Sequence, residues 1–339
     1  MGDETRNDAQ TRRAFSGLLT AAAAFAPAVA RAQFDVRTTT SAAPSHALDS
    51  VTVKAAQDRS ARMTVPVMLN GQGPFPFVVD TGSNRTVISD TLAAQLGLPA
   101  GEILQVSSAT GVESTPSAHI LKLGVGGREV SNMLAPVLIQ DNLGAAGMLG
   151  IDAVHDQTII MDFKAGVMRI QPSSRKNDDP ADVVVKAKSK YGQLILVDSW
   201  VAGNIPLYVI IDTGGEVTIG NLTLRETLLR RRSQTGTQVQ VTGVTGGQVT
   251  ADLSIMPRVS IGHVWVSNLQ VAYADLHAFE QFGLHDKPAM LLGMSTLRMF
   301  ERVSVDFKNR QVRFLFADEA RAADRALMAD EPRTIRPAG

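Results

Sequence analysis

The chain has no cysteine. Disulfide cross-links and thiol nucleophiles are therefore excluded, although the absence does not by itself fix the compartment. It also lacks any surplus of charge. Lys and Arg total 33, as do Asp and Glu, so neither a nucleic-acid nor an acidic partner is expected. Aromatic residues make up only 5%, which leaves Val, Ile, Leu, Met and Ala to build the core. No segment reaches the roughly 18 uninterrupted apolar residues of a membrane-spanning helix. The six histidines show no His-x-x-x-His or comparable ligand spacing. There is no Gly-x-x-x-x-Gly-Lys-Ser/Thr loop and no Gly-x-Ser-x-Gly elbow. Gly124-Val125-Gly126-Gly127 reads as a hairpin turn, because it does not open a helix. No cofactor or metal is expected.

What remains is an ordinary globular composition, 44% hydrophobic and 19% charged over 339 residues. That length fits about two domains. The N-terminus reads as an export signal. Arg12-Arg13 precedes a mildly apolar, Ala-rich stretch, residues 14–30, interrupted by Ser16, Gly17, Thr20 and Pro27. Ala30-Arg31-Ala32 then fits a small-x-small cleavage site before Gln33. Residues 1–32 are expected to be a twin-arginine-like signal peptide, and residues 33–47 a flexible linker. The mature chain is expected to be periplasmic or secreted, with no stable membrane insertion.

The body divides into two related halves. Asp80 and Asp212 stand 132 positions apart, as do Thr110-Gly111-Val112 and Thr242-Gly243-Val244. Leu149-Gly150 matches Leu292-Gly293, and Asp162-Phe163 matches Asp306-Phe307, at spacings larger by eleven or twelve residues. The order is preserved, so the halves are copies of one unit with an insertion late in the second, between Asp275 and Pro288. Each half reads mainly as strand. Met63 to Leu69 turns at Asn70-Gly71-Gln72-Gly73 and returns to Asp80. Leu194 to Val201 turns at Gly203-Asn204 and returns to Asp212. A short helix follows each return, preceded by Ser89 and Asp90 in one half and by Asn221 in the other. Arg230-Arg231-Arg232 reads as a solvated helix end.

Each copy places an Asp-Thr-Gly at the end of a hydrophobic run, Phe77-Val78-Val79 in one and Val209-Ile210-Ile211 in the other. Backbone N–H groups near a strand end can hold a carboxylate, and glycine lets the chain turn tightly against it. The threonine hydroxyl can tie the loop to its twin. Two carboxylates about 3 Å apart cannot both ionise, so they share a proton. One can then take a proton from water while the other polarises a carbonyl.

These motifs resemble those of the aspartic peptidase superfamily, in particular bacterial retropepsin-like proteins with two fused copies. The resemblance covers roughly residues 60–316 and includes the apolar-apolar-Gly segments Met148-Leu149-Gly150 and Leu291-Leu292-Gly293. It implies an all-β fold with short helices, built as two pseudo-twofold-related lobes with a cleft between them. Residues 48–172 would form the first lobe, 173–185 a linker, 186–317 the second lobe and 318–339 a tail. Asp80 and Asp212 would be the catalytic pair. Thr81 and Thr213 would interlock, Gly82 and Gly214 would be the loop glycines, and Ser83 would hydrogen-bond the outer oxygen of Asp80. Gly215 replaces the hydroxyl expected at the matching position, leaving Asp212 one donor short and Asp80 the more acidic. Glu216 is expected to face solvent. Two tyrosine-free hairpins, residues 105–117 with Thr110-Gly111 at the tip and residues 238–250 with Thr242-Gly243, would be flaps over the cleft.

The implied function is aspartic endopeptidase, acting as a monomer on extended polypeptide substrates. A second reading stays open at this point, a peptide-binding or scaffold protein that kept the cleft and lost efficient catalysis at Gly215.

Overall fold

The computed structural model describes residues 51–54, 56–57, 62–174, 182–196, 198–229, 237–262 and 264–316. The expected signal peptide, the linker 33–47, Arg230-Arg231-Arg232, the tail from 318 and residues 175–181 of the expected inter-lobe linker lie outside them.

Met63–Leu69 alternates buried and exposed side chains along most of its length. It turns through Asn70 and Gly71, both at positive φ, and returns as Gln72–Val79. The return ends in Phe77, Val78 and Val79, each no more than 1% exposed. Such a continuous apolar run needs cover on both faces. Its neighbour is a parallel strand, Gly147–Leu149, in the register Phe77↔Gly147 and Val79↔Leu149. Gly147–Leu149 is itself flanked on the other side by Val87–Ser89. The second half repeats this pattern. Tyr208–Ile211 runs parallel to Ala289–Leu292, with Tyr208↔Ala289 and Ile211↔Leu292, and Ile219–Gly220 lies antiparallel beyond it.

The halves are joined by six consecutive strands of one sheet. Val51–Lys54, Val167–Pro172 and Gln157–Asp162 come from the first half. Arg302–Asp306, Gln311–Leu315 and Val183–Lys190 come from the second. The central pair is antiparallel, with Thr158↔Asp306, Ile160↔Ser304 and Asp162↔Arg302. Asp162 and Asp306 are repeat equivalents, so the pairing exchanges equivalent positions about Ile160 and Ser304. A twofold relation between the halves produces that exchange. Val183–Lys190 starts inside the segment expected to be linker, because Val183 and Val185 pair with Phe314 and Val312.

The protein is thus all-β with short helices, arranged as two pseudo-twofold-related lobes. One apolar core draws on both lobes, with Val65 and Leu149 from the first and Leu292, Val305 and Phe314 from the second. Two smaller clusters sit beside the cleft. One includes Val78, Val87, Leu138 and Met148; the other includes Ile210, Ile219, Phe279, Phe282 and Leu291. The helices after the two returns span Asp90–Gln95 and Leu222–Leu229. Ser89 Oγ accepts the Leu92 N–H at 3.1 Å, and Asn221 Oδ1 accepts the Leu224 N–H at 2.8 Å. These caps satisfy donors left open at a helix start. The late insertion carries another short helix, His277–Gln281.

Candidate active site

Asp80 and Asp212 stand one residue beyond the buried strands Gln72–Val79 and Tyr208–Ile211. Their backbone N–H groups still donate to the parallel neighbours, Asp80 to Leu149 O at 2.9 Å and Asp212 to Leu292 O at 3.1 Å. The chain then turns at once. The apolar-apolar-Gly segments support that turn by close approach. A Cβ on Gly150 would lie 2.3 Å from the Arg85 carbonyl carbon, and one on Gly293 would lie 2.5 Å from Val217 O. Arg85 and Val217 are themselves repeat equivalents. Thr86 and Thr218 complete the match, each accepting the N–H of its supporting glycine at 3.1 Å.

The two loops are cross-braced. Thr81 Oγ1 donates to Ile211 O at 2.8 Å, and Thr213 Oγ1 donates to Val79 O at 2.6 Å. The N–H of Thr81 donates to Thr213 Oγ1 at 3.0 Å, and that of Thr213 donates to Thr81 Oγ1 at 3.2 Å. Thr81 and Thr213 are 1% and 2% exposed. Their hydroxyls meet backbone across the lobe boundary, where an unpaired group would be costly.

This bracing brings Asp80 and Asp212 face to face. A Cβ on Gly82 would lie 2.9 Å from Asp212 Oδ1 and 3.2 Å from Asp80 Oδ1. A Cβ on Gly214 would lie 2.4 Å from Asp80 Cγ. The glycines are needed because any side chain there would enter the carboxylate pair. Gly82 N–H donates to Asp80 Oδ1 at 2.8 Å. Gly214 and Gly215 N–H donate to Asp212 Oδ1 at 3.1 and 3.0 Å. Burial raises the proton affinity of both carboxyls. Asp80 is pushed up to about 7 by burial and by the adjacent Asp212 charge.

Three expectations are corrected here. Ser83 does not bond the Asp80 carboxylate through its side chain. Its hydroxyl donates to Arg85 O at 2.8 Å and accepts the Arg85 N–H at 3.3 Å, closing a local turn instead. Gly215 does not leave Asp212 short of donors, since its own N–H supplies one; Asp80 is accordingly not the more acidic for want of that donor. Glu216 does not simply face solvent. It is held by Arg298, with Nη1–Oε1 at 2.8 Å and Nη2–Oε2 at 3.3 Å.

Above the pair lies a cleft of about 760 Å³, lined by residues of both lobes. That is ample for a bound ligand. The hairpins expected as flaps both overhang it. Leu104–Ser108 and Gly111–Thr115 form the first, and Thr237–Thr242 with the start of Gln248–Ile261 forms the second. Gln105 to Ala109 and Val239 to Val244 line the cleft, so Thr242 and Gly243 belong to its wall. Thr110 sits instead at the meeting of the tips, where a Cβ on Gly243 or Gly247 would strike its Oγ1. Gly111, at φ 148, takes the chain out of that turn. Thr245 Oγ1 donates to Ser108 Oγ at 3.1 Å, joining the two tips. Each tip reaches the opposite lobe's apolar cluster, Ala109 against the second-lobe cluster and Val244 against the first-lobe cluster.

Two residues at the site had no signal in the sequence. Arg62, 5% exposed, donates through Nη1 to Gly214 O at 3.1 Å and through Nη2 to Leu143 O. Gln193, 6% exposed, donates through Nε2 to Gly82 O at 2.8 Å. Both bond backbone carbonyls far away in the chain, which no motif records.

A family model described as aspartyl protease matches residues 65–153 and, separately, residues 197–296. Each span contains one Asp-Thr-Gly loop and its supporting apolar-apolar-Gly strand. No curated protein matches the chain. With more than half of its length matched, and one copy of the unit in each lobe, the chain belongs to the aspartyl protease family.

Proposed function

We propose that the protein is an aspartic endopeptidase whose catalytic pair is Asp80 and Asp212. The observation that carries this is the cross-braced pair of loops, which sets two carboxyl groups of raised proton affinity against each other at the floor of the cleft. Two carboxyls this close cannot both ionise readily, so the working pair shares one proton and carries one negative charge. The ionised carboxylate takes a proton from a water molecule as the water oxygen attacks the peptide carbonyl carbon. The protonated carboxyl gives its proton to the carbonyl oxygen. Collapse of the resulting gem-diol breaks the C–N bond, and the amine nitrogen leaves with a proton from the pair. An extended polypeptide fits a cleft open along both lobes and covered by two hairpins. Val87, Leu138 and Met148 on one side, and Ile210, Ile219 and Leu291 on the other, favour apolar side chains next to the cleaved bond.

The non-catalytic reading rested on Gly215, and Asp212 keeps its backbone donors there. Turnover of a peptide library tests the choice. Asp80→Asn and Asp212→Asn should each lower kcat/KM by at least about 10³-fold while leaving the circular dichroism spectrum unchanged. Near-native activity in either variant would remove that carboxylate from the mechanism.

Export through the twin-arginine route is the companion proposal, supported by Arg12-Arg13 and the Ala-rich segment after it. Replacing both arginines with Lys should leave precursor in the cytoplasm, and the exported wild-type chain should start near Gln33. Undiminished periplasmic recovery of the Lys-Lys variant would point to the general secretory route.

A further inference from the structure

The pseudo-twofold relation between the lobes is broken at one buried place. Strand registers Thr64↔Val78 and Ile195↔Ile210 put Arg62 and Gln193 at matching positions, Arg62 just before the strand Met63–Leu69 and Gln193 at the start of the strand Gln193–Leu196. Both reach across the lobe boundary and donate to the carbonyl of the opposite loop glycine, Arg62 to Gly214 and Gln193 to Gly82. One of the two is a guanidinium and the other a neutral amide. Arg62 also donates to Leu143 O at the end of the short helix Gln140–Leu143. It thus ties a strand and a helix of its own lobe to the catalytic loop of the other.

We propose that Arg62 is a positioning residue for the reaction: it locks the Asp212 loop from the opposite lobe and holds a permanent positive charge behind the two carboxylates. This deepens the peptidase reading and rests on it for its kinetic consequences, though not for its electrostatic ones.

The geometry gives the charge somewhere to act. Gly214, whose carbonyl Arg62 binds, is in contact with the Asp80 carboxylate through its Cα face. The charged and titratable groups lining the cleft are Arg62, Asp80, Arg85, Tyr191, Asp212 and Glu216. Arg85 and Tyr191 are exposed, and water screens them. Glu216 is paired with Arg298. Asp141 lies on the same helix as Leu143 but is exposed. Arg62 is the buried cation of this set, where a charge acts with least screening. Consistent with that, it lowers the proton affinity of both Asp80 and Asp212, against the larger rise from burial. Arginine suits the task because it cannot be deprotonated in the working pH range and its planar fork reaches two carbonyls at once.

The test separates charge from hydrogen bonding. Arg62→Gln places the same amide that Gln193 carries, keeping a donor for Gly214 O and removing the charge. Arg62→Lys keeps the charge and loses the fork. Two readouts are taken on each: the pH dependence of kcat/KM on one peptide, and the pH titration of the Asp80 and Asp212 carboxyl carbons by NMR, assigned with Asp80→Asn. In Arg62→Gln both limbs of the profile, and the carboxyl titrations, should move to higher pH by about one unit. That costs roughly tenfold in activity on the acid side. In Arg62→Lys the limbs should stay in place while kcat/KM falls. Superimposable titrations of wild type and Arg62→Gln would overturn the proposal. If Arg62→Gln does not fold, Gln193→Arg decides: a second buried guanidinium at the matching place should move both limbs to lower pH, and unmoved limbs would overturn it. If the carboxyl titrations shift as described but wild type cleaves no peptide, the electrostatic inference stands and the peptidase reading falls. Cleavage with unmoved titrations gives the reverse.

Discussion

Asp80 is held in a place that opposes its own ionisation, and this has a cost in stability with a definite sign. Its carboxyl is raised from 3.8 to about 7 in the folded protein. Between those values the folded state keeps a proton that the unfolded chain releases. Stability contributed by this group is therefore fully present below about pH 4 and is lost as pH rises through about 7. The loss has an upper bound of about 4 kcal/mol, the free-energy equivalent of that displacement. Asp80→Asn cannot ionise, and it also frees Asp212 from a charged neighbour. Urea unfolding should show the Asn variant more stable than wild type at pH 8, by up to about that amount, with the advantage shrinking towards zero at pH 4. A difference that stays constant from pH 4 to pH 8 would mean that the Asp80 carboxyl is not perturbed by folding. The aspartates and their glycines were legible in the sequence because the motif is local and occurs twice. The groups that modulate them were not. Arg62 acts on Gly214 and Gln193 on Gly82, over separations of 152 and 111 residues, and a lone Arg or Gln at the start of a hairpin has no local mark of that role. Ser83 shows the opposite failure: a motif position assigned by likeness formed a turn with Arg85, two residues away.

The same contrast holds for strands, hairpins and helices. Alternation and turn residues located Met63–Leu69 and its return well, since a half-buried strand writes its period into the sequence. The matched spacing of Thr110-Gly111 and Thr242-Gly243 marked both hairpins. What they touch was out of reach. The insertion between Asp275 and Pro288 could be located by counting, but its role appears only in space. Its helix, His277–Gln281, meets the first hairpin: His277 N–H donates to Ala109 O at 3.0 Å, and Gln281 Nε2 contacts Ser107 Oγ. Phe279, fully buried, anchors that helix in the second-lobe cluster, against which Ala109 also packs. The second hairpin has a different hold, with Val244 on the first-lobe cluster and Gly246 beside Asn142. The two covers are alike in sequence and unlike in attachment, so the two ends of the cleft are walled by different side chains. A periodicity in one segment cannot encode a contact whose other half comes from an insertion in the opposite lobe.

Neither loop can form its braced state alone, because each threonine hydroxyl donates to the other lobe's strand end, Thr81 to Ile211 and Thr213 to Val79. The pair of carboxylates therefore exists only while the lobes stay docked, and the six-strand sheet is what docks them. At its centre Ile159 pairs with Val305, both 0% exposed and within the core that draws on both lobes. This makes the two lobes one cooperative unit. Val305→Ala, outside the cleft lining, removes buried methyl groups and should cost about 2–3 kcal/mol. The protein offers a direct check, because Trp200 and Trp265 both lie in the second lobe and are its only tryptophans. Tryptophan fluorescence reports that lobe, while far-ultraviolet circular dichroism reports the strands of both. In Val305→Ala the two unfolding curves should remain superimposed and move together to lower denaturant. Loss of peptide hydrolysis should follow the same curve. If instead fluorescence moves early while part of the dichroism signal unfolds at the wild-type midpoint, the first lobe is stable alone. The sheet would then be a contact between two independent domains, and the carboxylate pair would be lost before the fold is.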